Sequence, residues 1–120
     1  MNWKHLPAAL ALWGLAAPTA EAADVPLTSA QVRSDILGKE VSHNPRHIII
    51  FGTDGKLAVV GGPLGKNGTY RLETDGRICW RMRPPNDAGC FQYYRRGAQL
   101  RVRRTDSGSP GDIGPVTVTP

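Results

Sequence analysis

The sequence predicts a mainly β fold: an antiparallel meander of about six strands, open sheet or small barrel, with one short N-terminal helix. Three observations carry this. Short apolar runs such as HIIIF, KLAVV and RICWRM are separated by turn signals. The tripeptide Thr-Asp-Gly stands at 53–55 and again at 74–76, each time between two such runs. Gly55, Gly76 and Gly97 are 21 residues apart, the spacing of a regular series of hairpins.

Residues 1–22 are set aside from the fold. Lys4 and His5 form a short basic start, LPAALALWGLAAP is an apolar run, and Ala20-Glu21-Ala22 puts small residues at the positions a signal peptidase needs. Cleavage is expected after Ala22, with export to the periplasm or the medium. The apolar run is shorter than the ~20 residues that span a bilayer. No cysteine lies near the cut, so a lipid anchor is not indicated. The remainder is long enough for one domain, 23–104, and a modest core.

The first element is the helix, in LTSAQVRSDILGK. Thr28 is a good N-cap, Gln31 completes a capping box, and Leu27 with Val32 stand at hydrophobic-staple positions. Val32, Ile36 and Leu37 make a narrow apolar stripe, and Gly38 ends it. Such a short helix must dock on something. Lys39 to Arg46 then reads as a connector. His43 and His47 are four apart, but Pro45 forbids the helix that would make them a zinc pair, so no metal site is expected.

From His47 the signal is β. A three-residue loop with a left-handed glycine sets Phe51 opposite Leu57, Leu72 opposite Ile78 and Tyr70 opposite Trp80, apolar against apolar. The intervening GGPLGKNG is no phosphate loop, because Val60 stands where the first Gly belongs and Asn67 where Ser or Thr is needed. The Asn67-Gly68-Thr69 sequon is discounted, since the signal peptide looks bacterial. Cys79 and Cys90 match neither C-x-x-C nor a zinc knuckle, and in an oxidising compartment they are expected to pair.

Between Arg77 and Arg104 lie eight arginines and one acid, Asp87. Alternation sends Ile78, Trp80 and Met82 one way and Arg77, Cys79, Arg81 and Arg83 the other. A two-residue turn at Arg96-Gly97 adds Arg101 and Arg103 to that face, with Leu100 and Val102 in the core. The expectation is a ladder of Arg77, Arg81, Arg83, Arg101 and Arg103 near Tyr94, able to bind carboxylate, sulfate or phosphate. The plainer reading is a solvated, edge-protected outer face. Like charges across strands cost stability, and lysine or glutamate would serve solubility equally well. Residues 105–120 are rich in Ser, Gly and Pro and read as a flexible tail, with VTV as a possible edge strand.

The segments LTSAQVRSDILGKEV, IIIFGTDGKL, GTYRLETDGRICWR and GCFQYYRRGAQLRV, in that order, resemble a group of small exported α-proteobacterial proteins sharing a domain of unknown function. The likeness covers roughly residues 27–104. It departs at Tyr70, where tryptophan is expected, and in the arginine-rich second half. The resemblance implies export and a small β-meander with one helix. It implies no activity and no catalytic residues.

No catalytic set stands out. Asp35 and Glu40 could approach the histidines, but no serine sits in a nucleophile elbow, and Asp54 and Asp75 are turn residues. The expectation is therefore a non-enzymatic binding module without cofactor. It would take an anionic envelope component or an acidic protein, consistent with a net charge of +5. Nucleic acid is not an expected partner for an exported chain. The alternative is a structural or inhibitory protein that docks by shape through loop 61–68 or turn 84–89.

Overall fold

The computed structural model describes residues 23–44, 47–60, 66–83, 87–106 and 110–120. The expected signal peptide lies outside the described residues, and so do residues 61–65 and 84–86 of the two loops considered for docking.

In chain order the elements are β1 (Asp24–Pro26), α1 (Ser29–Asp35), β2 (Glu40–Asn44), β3 (His47–Phe51), β4 (Lys56–Val60), β5 (Lys66–Leu72), β6 (Ile78–Arg83), β7 (Asp87–Arg96), β8 (Gln99–Arg104), β9 (Gly111–Pro115) and β10 (Thr117–Thr119). All pairings are antiparallel, in the order β10-β2-β3-β4-β5-β6-β7-β8-β9, with β1 added on β7. Only Val116 separates β9 from β10. One segment thus pairs with β8 on one side and β2 on the other, and the sheet is a nearly closed barrel.

The expected meander is present as β3 to β8, but six strands is too few. Asp24–Pro26, ahead of the helix, form β1, so the helix follows a strand rather than opening the domain. The connector supplies β2, because Val41 is fully buried opposite Ile49 and HIIIF needs a partner on that edge. The flexible tail expected over 105–120 is corrected too: Gly111–Pro115 pairs with β8 and Thr117–Thr119 with β2. Its Gly and Pro content hid this. Gly114 is buried opposite Val102, and Val116 and Val118 pack against the core, while Ile113 stays exposed, so alternate positions face inward. Two open edges of the meander provide what the tail's own composition lacks.

The hairpin registers follow the apolar matching: Phe51 pairs with Leu57, Leu72 with Ile78, Tyr70 with Trp80 and Cys79 with Cys90. The last turn differs by one residue. It is Gly97-Ala98, closed by Arg96 opposite Gln99, with the left-handed conformation at Gly97 (φ 61°). A shift of one at the turn moves the pairing sum by two, so the faces of β8 stay as expected.

Inside the barrel, Phe51, Ile78, Tyr93, Val41 and Val102 are fully buried. Aromatic edges meet at 5.3 Å (Phe51–Tyr70), 6.3 Å (Phe51–Tyr93) and 6.4 Å (Phe91–Tyr93). Helix α1 plugs one end. Thr28 Oγ1 accepts the Gln31 N–H (3.2 Å) while the Gln31 side chain accepts the Thr28 N–H (2.9 Å), which is the capping box. Leu27, Val32 and Ile36 are buried beneath it. Each such side chain contributes about 1.5–3 kcal/mol. Gly76 (φ 91°) lies so close to the Leu27 backbone that any Cβ there would collide with it. The plug is seated against the β5–β6 turn.

Candidate functional site

The outer face of β6, β7 and β8 is where alternation places the arginines. Cys79 and Cys90 are directly opposite on this face and form the disulfide. Arg81 is opposite Ala88, Gln92 opposite Arg103, and Tyr94 opposite Arg101. From Ala88 to Tyr94 is six residues along β7, which is ~20 Å of strand. Arg81 and Arg101 therefore belong to different neighbourhoods, and the single ladder expected from the sequence divides in two.

One neighbourhood is built on Tyr94. Although it sits on the outer face, its ring is almost fully buried. Arg103 lies over it, with the guanidinium carbon 4.0 Å from the ring centroid, and Arg96 stands at 5.8 Å. The Tyr94 hydroxyl donates to Asp112 Oδ1 (2.5 Å) and accepts from Arg101 Nε (3.0 Å), and Arg101 reaches Asp112 again at 2.6 Å. From the other side Asp24 takes Arg96 at 2.8 Å and Arg103 at 3.6 Å. These contacts hold the Asp24 and Asp112 carboxyls below the usual carboxylate range, Asp24 through its hydrogen bond from Arg96 and Asp112 through those from Tyr94 and Arg101. We call this arrangement the clasp, because it ties β1 and β9 to the β7–β8 hairpin.

The other neighbourhood is a shallow groove of about 570 Å³ whose lining includes Thr69, Arg71, Cys79, Arg81, Ala88, Cys90 and Asp106. Its floor is low because the side chains at 69, 79, 88 and 90 are small. Arg71 is held by Glu73 at 2.8 Å, and Asp106 by Arg104 at 2.7 Å. Arg81 is exposed and has no carboxylate within ion-pair distance among the described residues. Arg77 is pinned at the end of its own turn by Asp75 (2.8 Å). The side chain of Arg83 lies outside the described ones.

Of the groups considered from the sequence for a histidine–carboxylate pair, Asp35 and His43 turn to other partners. Asp35 faces Arg95 at 3.7 Å. His43 points into the barrel, where Nε2 is 2.7 Å from the Tyr93 hydroxyl and the ring meets Phe91 edge-on at 5.0 Å. Burial, with a smaller contribution from His47, pushes the His43 pKa down to about 4, so its imidazole is neutral at pH 7.

Sequence reasoning missed Asp24, Asp106 and Asp112, which decide which arginines are engaged. Asp106 and Asp112 lie in the tail read as flexible, and Asp24 lies ahead of the helix, the first element read from the sequence. The one available signal was the Val116/Val118 alternation, which announces a strand and so brings Asp112 alongside β8.

Fold and site together define a small, nearly closed antiparallel β-barrel with a cationic groove on its outer wall. No family model, curated protein or solved structure matches the chain. The likeness to small exported α-proteobacterial proteins thus rests on the sequence motifs alone.

Proposed function

We propose that the chain is an exported, non-enzymatic binding module. It takes a carboxylate, sulfate or phosphate group of an anionic envelope component or acidic protein into the groove between Arg71 and Arg81. The observation that carries this is Arg81: an exposed guanidinium on a concave, small-residue floor, without an acid of its own among the described residues. A guanidinium offers paired N–H donors that match a planar or tetrahedral oxyanion. Arg101 and Arg103, expected to share this role, are already engaged by Asp112 and Asp24. The groove suits one anionic group presented by a larger molecule.

The test is titration of the oxidised chain from residue 23 with heparin, phosphatidylglycerol vesicles and polyglutamate, at low and high salt. One probe is expected to bind with a steep loss at high salt. Arg81→Ser is expected to weaken it about tenfold, the loss of one well-placed charged contact. Salt-independent binding, or equal losses in Arg81→Ser and Arg101→Ser, would sink the proposal.

A further inference from the structure

The floor of the groove is the disulfide itself. Cys79 and Cys90 are half-exposed and line the groove together with Thr69 and Ala88, which are too small to cover them. Charge is distributed unevenly about the two sulfurs. Arg71 is the cross-strand neighbour of Cys79, and Arg81 follows two residues along on the same face. Cys90 instead has Asp106 beside it, whose Oδ1 accepts the Cys90 N–H at 3.1 Å and pairs with Arg104. The β6–β7 ladder runs from Ile78–Phe91 to Met82–Asp87, so backbone pairing continues on both sides of the bond.

We propose that the Cys79–Cys90 bond is a thiol–disulfide exchange site that selects small anionic thiols. This rests on the cationic groove described above. Attack and departure in this chemistry both involve thiolates, which a guanidinium stabilises, and the Asp106 carboxylate beside Cys90 is already compensated by Arg104. Cys79, between Arg71 and Arg81, is the better leaving group. An incoming thiolate attacks Cys90 Sγ, a new S–S bond forms there, the Cys79–Cys90 bond breaks, and the electron pair departs on Cys79 Sγ. A second thiolate attacks the thiol-derived sulfur of the mixed disulfide and releases Cys90 as thiolate. Two thiols are oxidised to one disulfide, the protein disulfide is reduced to a dithiol, and the two protons lost by the incoming thiols are taken up by the cysteines.

The experiment exposes the folded, oxidised protein to glutathione (anionic), 2-mercaptoethanol (neutral) and cysteamine (cationic) at matched thiolate concentration. Mass spectrometry follows the adducts and peptide mapping locates them. Glutathione is expected to react about tenfold faster than cysteamine, the size of a local electrostatic preference, with the adduct on Cys90. Arg81→Ser should remove the preference and Arg81→Lys should keep it. If none of the three thiols reacts without denaturant, the bond is closed to exchange and the proposal falls, while anion binding in the groove stands. Equal rates for all three would show an open bond without charge selection and overturn this proposal, while anion binding in the groove is decided by the titration above. An adduct on Cys79 would overturn the assignment of the leaving group.

Discussion

The clasp and the groove lie on the same outer face and use the same residue type, yet they do different things. Around Tyr94, Arg96, Arg101 and Arg103 are matched by Asp24 and Asp112, and the ring beneath them is out of water. At the groove, Arg81 stands over small side chains with no such acid among the described residues. The difference comes from what the chain ends bring. Strands β1 and β9 each deliver an aspartate to β7–β8, whereas among the described residues no terminal strand reaches the β5–β6 side. Arginine density alone does not mark a binding face. The position of the compensating acids does.

That contrast can be broken most forcefully at Tyr94. Tyr94→Ala removes the ring under Arg103 and the hydroxyl between Arg101 and Asp112, and is expected to cost about 3–5 kcal/mol in denaturant unfolding. Anion binding by the fraction still folded should not change. A full loss of binding without loss of stability would reverse the roles given to the two regions.

A pH titration separates both regions from the barrel interior. His43 has its folded pKa depressed to about 4, below its ordinary 6.5. The unfolded chain therefore binds the proton first, and stability present above pH 6.5 is lost as pH falls toward 4. The full loss is on the order of 3 kcal/mol. Asp24 and Asp112 have lowered pKa values as well, so the clasp should hold until pH drops below their ordinary 3.8. Two successive losses are thus expected in acid unfolding curves. The double variant His43→Leu/Tyr93→Phe should abolish the first and leave the second.

At the smaller end, Arg81→Ser should leave the unfolding midpoint within about 0.5 kcal/mol of the parent, as an unpaired surface residue does. Asp112→Asn should have the opposite profile: a measurable drop in midpoint and no loss of groove binding. It is expected to gain a second, weaker anion site, because Arg101 is released from Asp112, and a binding isotherm at low salt detects it.

How much of this was legible beforehand depends on whether a segment's partners were local. The hairpins declared themselves, because Phe51 and Leu57 or Leu72 and Ile78 are matched across a few residues by turn chemistry. The capping box of α1 was equally local. The strands that close the barrel were not. β2, with polar Glu40, Ser42 and His43, and β9–β10, with its glycines and prolines, form strands because distant edges require partners. The site followed the same rule. The faces of Arg81, Arg101 and Arg103 could be read from alternation, but their engagement could not, since it depends on aspartates brought from the two ends of the domain. His43 was similarly opaque, because only the folded barrel places Tyr93 next to it.

The segment that carries β9 and β10 has one more consequence. It is the last of the described sequence to be synthesised, and it pairs with a strand some seventy-five residues earlier, as Val118 does with Val41. Until it arrives, β2 and β8 present open edges and the barrel cannot shut. The meander can zip hairpin by hairpin as the chain emerges, but the step that seals it waits for residues 111–119. The chain therefore carries its own timer: it remains a sheet with two open edges while the hairpins assemble, and shuts only when residues 111–119 pair with β8 and β2.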